Sequence, residues 1–198
     1  MLYQLESAQS RPYLNSEANW TATYRRDSTL AAPYGWWKPS SDDEEDVEDV
    51  GVADYVGVRE ARIAWFVSNC NANNKRLEYA RSLSKYYPVD IFGKCGELKC
   101  SRGKQSECWN MVAKKYKYYL AFENSNCLDY ITEKFWEALR HKVLPIVMGA
   151  RDEDYQAVAP DNSYLHVDNF DSPQTLAEHL KQLDNNPLQY NRHFQVNN

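Results

Sequence analysis

The segment that most restricts this chain is 118–149, YYLAFENSNCLDYITEKFWEALRHKVLPIVMG. Residues 118–122 form an apolar run of strand length, and 123–129 form a polar turn. A helical pattern covers 130–142, and a second apolar strand covers 143–148. Strand, helix and strand in this order make a βαβ crossover, which requires parallel strands in a sheet covered on both faces. Open sheets of this kind bind ligands outside the carboxyl ends of their strands. A helix that starts there offers free N–H groups and partial positive charge to an anion.

Lys134 is the most telling residue of the turn. It falls in about the first turn of the expected helix, where a cation opposes the dipole. Helical spacing puts Ile131, Phe135, Ala138 and Leu139 on the buried face. Tyr130 and Lys134, four apart, share a neighbouring face. A lysine set against the dipole is explained if an anion such as a diphosphate lies between the two. Otherwise it is a solvated side chain leaving a helix end. Glu133 suits a pair of adjacent hydroxyls, which a carboxylate accepts together, or it is an ordinary first-turn acid. Tyr130 either packs on a ligand or fills a half-buried position. Asn124, just past the strand, either reaches a ligand with its amide or caps the turn.

The remaining chain supports the same architecture. Residues 2–5 and 20–24 read as short strands, and Pro33 with Gly35 marks a turn. The run IAWFVS from Ile63 reads as a buried parallel strand. Leu77, Ala80, Leu83 and Tyr87 give 74–87 helical spacing. A strand at 89–92, a cysteine-bearing loop and a helix at 107–115 come next. After the βαβ unit there is a short helix at 152–158 and a strand at 164–167. Ser172 as N-cap and Pro173 at the first helical position then open a long last helix. Strand alternating with helix five times implies a parallel, doubly wound sheet.

Composition bounds the organisation. The 198 residues suit one medium domain, or one domain plus part of another, and 43% hydrophobic content supplies a core. The net charge of −5 is misleading, because residues 42–49 alone carry seven acids and the remainder is mildly basic. That run is expected to be a solvated insertion. It divides the chain into 1–38, an acidic linker at 39–60, and a sheet domain at 61–198. No signal peptide or transmembrane span is visible. The five cysteines leave at least one thiol without an internal partner. Asn19-Trp20-Thr21 is the only N-glycosylation sequon. The four histidines, His141, His166, His179 and His193, lack metal-ligand spacing, so no metal site is expected from them.

The FENS…DYITEK string resembles the signature of the α1,3/4-fucosyltransferase family, where it lines the GDP-fucose site. The block NWTATYRRDSTLAAPYG (19–35) resembles a second family block. WFVSN (65–69) and YLHVDNF (164–170) also match, in family order, across nearly the whole chain. The blocks are most similar to those of the insect core-type members. Family members carry an N-terminal membrane helix, an upstream domain half, and roughly fifty residues beyond the last one here, as typical domain sizes allow. The chain is therefore expected to be a fragment. Cys95, Cys100 and Cys108 fall where the family has a CG…C-x-R pattern and forms disulfides.

The resemblance implies a GT-B-type fold: a Rossmann-like donor-binding domain at 61–198 and a remnant of the acceptor-side domain at 1–38. It assigns Asn124, Tyr130, Glu133 and Lys134 to the donor, with Glu133 on the ribose and Lys134 on the diphosphate. Arg76, or its neighbour Lys75, grips the diphosphate as well; an arginine fork suits that task. Tyr34 faces the guanosine across the cleft. Tyr24, Arg25, Arg26 and Asp27 read as a structural ion-pair cluster. Glu6 falls where the family places its catalytic base, although Ala8 replaces the usual proline. The signature helix is one residue short after Trp136, and one deleted residue rotates the rest of a helix by roughly 100°. Asp152 and Asp154 have the D-x-D spacing that holds a metal in other glycosyltransferases, but an acidic helix start is the preferred reading.

The implied reaction is transfer of L-fucose from GDP-β-L-fucose to the 3-OH of GlcNAc, with inversion, on the core GlcNAc of N-glycans. A Lewis-type enzyme acting on N-acetyllactosamine and a non-catalytic nucleotide-sugar-binding fragment are the alternatives. No cofactor is required, and stimulation by Mn2+ or Mg2+ stays open. The implied partners are GDP-fucose and glycoprotein N-glycans, with no nucleic acid. The implied setting is the Golgi lumen, with membrane contact only through the N-terminal anchor of a type II protein.

Overall fold

In the computed structural model of the protein, residues 20–38, 59–100 and 102–195 are described. Two short strands, β1 (Ala22–Thr23) and β2 (Leu30–Ala31), pair with each other in the first segment. The sheet domain then runs β3 (Glu60–Phe66), α1 (Arg76–Leu83), β4 (Val89–Phe92), α2 (Gln105–Lys115), β5 (Tyr116–Phe122), α3 (Glu133–Arg140), β6 (Leu144–Met148), α4 (Asp152–Gln156), β7 (Leu165–His166), α5 (Pro173–Asp184) and α6 (Pro187–Arg192). The five strands β3 to β7 are all parallel, in the order β4-β3-β5-β6-β7.

Alternation along the strands divides the core into two layers. Ile63, Trp65, Tyr118, Leu120, Phe122, Leu144, Ile146 and Met148 face one side, where they pack with Leu83 of α1 and Leu176, Leu180 and Leu183 of α5. Ala64, Tyr119, Ala121 and Val147 face the other, with Trp109, Val112, Phe135, Ala138 and Tyr155. Successive strand residues point to opposite faces, so an apolar run without alternation signals burial on both sides. Residues of β5 and β6 are buried throughout. A disulfide between Cys70 and Cys95 joins the loops after β3 and β4, and Cys100–Cys108 fastens the next loop to α2. Cys127 is the thiol left free among the described residues.

The strand order reverses between β3 and β5: β4 lies outside β3, whereas the chain continues through β5 toward β7. The loops after β3 and β5 therefore diverge and leave a crevice at the carboxyl ends of these strands.

Three expectations change in detail. The helix expected over 130–142 starts only at Glu133. Tyr130, Ile131 and Thr132 stay outside it, because Thr132 gives both its N–H and its hydroxyl to Glu123 across the turn. The helix expected over 74–87 spans Arg76–Leu83, entered through Lys75 at φ 57°. The terminal helix α6 was not expected; Asn186 caps it by accepting from Gln189 N–H, with Pro187 at its start. The acidic run, the strand at 2–5 and the sequon residue Asn19 lie outside the described residues.

The signature helix α3 is packed on the sheet. Phe135, Trp136 and Ala138 are buried. The turn into β6 closes by Val143 N–H to Ala138 O (3.0 Å) and Lys142 N–H to Leu139 O (2.9 Å). This is a Schellman pair, with Lys142 in the left-handed position at φ 54°.

Candidate anion-binding site at the sheet switch point

The site is built where β5 ends. Glu123 continues the strand by giving its N–H to Met148 O at 2.8 Å, and its side chain is fully buried. Its carboxylate accepts from Thr132 N–H (2.8 Å), from the Thr132 hydroxyl, and from Lys134 Nζ (3.0 Å). Burial pushes the Glu123 carboxyl above its ordinary range, against the pull of Lys134 and Thr132. Glu123 was not singled out from the sequence. An acid placed directly after an all-apolar strand was the available signal.

Lys134 is the second residue of α3, one-quarter exposed, and lies beside the positive end of the helix. Its ammonium donates to Glu123 Oε2, to Thr132 Oγ1 (2.6 Å) and to Glu133 Oε1 (3.1 Å). Glu133 is the exposed member of this group. Burial acts to raise the Glu133 carboxyl, but Lys134 and Thr132 together hold it below its usual value.

Arg76 enters the crevice from the other strand. It is buried, and its guanidinium bridges the divergence, with Nη1 on Phe122 O (2.7 Å) and Nη2 on Asn69 O (3.1 Å). Nε is buried without a hydrogen bond. Desolvation lowers the guanidinium pKa, with Glu123 acting the other way. Lys75 is exposed, so Arg76 is the member of the pair that turns toward the sheet. Asn74, which sequence reasoning did not select, gives Nδ2 to Glu123 O (2.9 Å) and to Asn126 Oδ1 (3.0 Å). Asn124 is exposed, two residues past the end of β5.

Segment 20–38 forms the outer rim. Tyr130 is buried with its ring 5.0 Å from Tyr24 and 6.5 Å from Tyr34, the latter edge-on. Burial raises the hydroxyl pKa of both Tyr130 and Tyr34. Gly35 lies flat on Trp136: a Cβ there would stand 2.5 Å from the indole ring. Arg25 pairs with Asp27, as expected of an ion-pair cluster. Arg26 reaches further, to Asp129 (2.6 Å) and to the fully buried Asp154 (3.2 Å).

The acids 152–154 open α4, and Asp154 also accepts from Arg151. Burial would raise its carboxyl, but the Arg151 hydrogen bonds hold it below the ordinary range. Asp152 instead accepts from Tyr164 OH (2.8 Å) and Gln156 Nε2 (2.8 Å). The two acids of the D-x-D spacing thus serve different partners. Among the described residues, no group of three or more His, Cys, Asp or Glu could hold a metal ion. Glu6 lies outside the described residues.

Arg76, on Phe122 O, and Lys134, on the Glu123 carboxylate, meet at the end of β5, the switch point at which open α/β sheets bind their ligands. Residues 56–198 match the family described as glycosyltransferase family 10 (fucosyltransferase), C-terminal, and the chain belongs to that family. It is 50% identical over 202 residues to glycoprotein 3-alpha-L-fucosyltransferase A of Drosophila melanogaster, covering 98% of this chain and 39% of that protein. It is 41% identical to alpha-(1,3)-fucosyltransferase 4 of Bos taurus, covering 89% and 43%. The chain therefore spans well under half the length of these relatives. A crystal structure of alpha1,3-fucosyltransferase with GDP-fucose aligns at TM-score 0.60 and 21% identity, over 72% of this chain and 40% of that one. That likeness establishes the GT-B-type fold.

Proposed function

We propose that this chain is the donor-binding part of an inverting fucosyltransferase, which moves L-fucose from GDP-β-L-fucose to the 3-OH of the core GlcNAc of N-glycans. The observation that carries the reading is the convergence of Arg76 and Lys134 at the switch point of a family 10 domain. In this reading Lys134, Arg76 and the first N–H groups of α3 hold the diphosphate and stabilise charge as GDP departs. Glu133 takes the ribose hydroxyls. Tyr130 and Tyr34 flank the nucleoside, and the exposed Asn124 offers its amide to the donor. Glu6 removes the proton from the acceptor hydroxyl. The oxygen attacks the fucose anomeric carbon opposite the diphosphate, the bond to GDP breaks, and the configuration inverts.

Two protein cations neutralise the leaving group without a metal; Mn2+ or Mg2+ on the diphosphate would add to them. Residues 1–38 then belong to the acceptor-side half. The setting is the Golgi lumen, with an N-terminal anchor in the full-length protein; among the described residues no helix is long and apolar enough to cross a membrane.

Calorimetry tests the donor assignment. GDP and GDP-fucose are expected to bind, UDP-GlcNAc much more weakly. Lys134→Ala should weaken GDP by about 1.5–3 kcal/mol, the range for a charged hydrogen bond, and guanosine by less. Equal affinity for GDP and UDP-GlcNAc would refute the assignment, and equal losses for GDP and guanosine would make Lys134 structural.

A further inference from the structure

An ammonium group has three protons to donate. All three of Lys134 are engaged within the protein, by Glu123, Thr132 and Glu133. An incoming phosphate oxygen must therefore displace one of these partners. The three are unequal. Glu123 is fully buried and Thr132 nearly so, and the two are bonded to each other. Releasing Lys134 from either would leave a buried polar group short of a partner, which is costly. Glu133 is 54% exposed and can turn to water. Exposed ion pairs of this kind are weak. The proton facing Glu133 is the replaceable one.

We propose that Glu133 is a specificity-determining residue that selects intact nucleoside diphosphates over bare inorganic anions by competing for Lys134. This rests on the donor reading above. An anion without a sugar must break the Glu133–Lys134 pair and leave a carboxylate beside itself. The new phosphate–lysine contact is then offset by a lost ion pair and a fresh like-charge repulsion. A ligand that carries a vicinal diol next to its diphosphate avoids both costs. Its phosphate takes the Lys134 proton while its hydroxyls donate to the carboxylate that is released. Each half of the ligand thus satisfies the group that the other half has set free. Glu123 and Thr132 act as positioning residues throughout, holding the ammonium over the start of α3 by its other two protons.

One substitution should therefore act with opposite sign on two ligands. Glu133→Gln keeps the shape of the side chain and removes its charge. Inorganic pyrophosphate should then bind about two- to fivefold more tightly than to the unaltered chain, the factor expected for freeing a lysine from an exposed pair. GDP should bind at least about tenfold more weakly, since charged hydrogen bonds to the diol are lost. Calorimetric titration with EDTA present measures both, and Glu133→Ala should repeat the direction for pyrophosphate. Thermal melts check that the variants fold, as expected for an exposed first-turn side chain. Pyrophosphate affinity that is unchanged or reduced in both variants overturns the proposal. So does tighter binding of both ligands, which would make Glu133 a mere repellent of anions. A different result, failure of GDP to bind the unaltered chain, overturns the donor reading itself.

Discussion

Glu123→Ala tests whether the buried carboxylate organises the site. The side chain holds three donors: Thr132 N–H, the Thr132 hydroxyl and the Lys134 ammonium. Truncation leaves the buried Thr132 N–H without its acceptor, at about 1–3 kcal/mol. Lys134 keeps Glu133 and some water, so its share is smaller. With the cavity left behind, the total should reach about 3–5 kcal/mol, as when one partner of a buried pair is removed. In a chain of this size each kcal/mol lowers Tm by about 2–4 °C, so the melt should fall by about 6–20 °C. Glu123→Gln separates charge from shape, because its amide oxygen still accepts from Thr132. Burial raises the folded-state pKa of Glu123 above the ordinary glutamate range. A raised acid binds its proton more tightly when folded, so its contribution to stability is fully present below the unfolded pKa and is lost as pH rises through the folded one. The melting difference between Glu123→Gln and the parent should therefore shift in favour of the variant as pH rises through that window. Melts followed by circular dichroism across the acid range decide it. An alanine cost below about 1 kcal/mol, well under the range for a broken buried pair, or a difference independent of pH, would refute the reasoning.

Gly149 sits at φ 144° with room for no side chain, since a Cβ would lie 2.6 Å from that of Glu123. Gly149→Ala should cost about 1–3 kcal/mol from the backbone alone and weaken GDP binding in titration; unchanged stability and affinity would show that Glu123 is free to move. Lys142→Gly should raise stability by about 1 kcal/mol in urea unfolding, because a side chain is strained at its φ of 54°; a loss would mean that the turn relaxes. Replacing both Cys70 and Cys95 by serine opens a link with a sequence separation of 25, and should cost about 3–4 kcal/mol of loop-closure entropy in the same assay.

The sheet was legible because its strands are buried on both faces and so appear as unbroken apolar runs: IAWF, YYLAF and LPIVM need no alternation to be recognised. The places of Lys134 and Arg76 at helix starts were legible too: Lys134 drew notice as a cation set against a helix dipole, whereas Arg76 was picked out by the family resemblance alone. Glu123 was missed because its role depends on Thr132 and Lys134, which meet it only after the turn folds back. Local pattern likewise placed Tyr130 inside α3, whereas a tertiary bond from Thr132 to Glu123 delays the helix. The D-x-D spacing illustrates the converse. Its two acids are near in sequence, yet one faces Arg26 and Arg151 and the other Tyr164.

The rim of the site depends on the turn it covers. A pair of two-residue strands has no stability of its own. Segment 20–38 is held instead by contacts distant in sequence: Arg26 on Asp129 and Asp154, Tyr24 on Tyr130, and Gly35 on Trp136. Asp129 takes the left-handed conformation, at φ 58°, in the turn that leads into Tyr130 and Thr132. An acid tolerates that conformation better than most residues. The same turn therefore supplies the acid that anchors the rim, the tyrosine that the rim packs on, and the threonine that steadies Lys134. The rim and the Glu123–Thr132–Lys134 cluster are two outcomes of one local fold, so a change that loosens the turn should loosen both together.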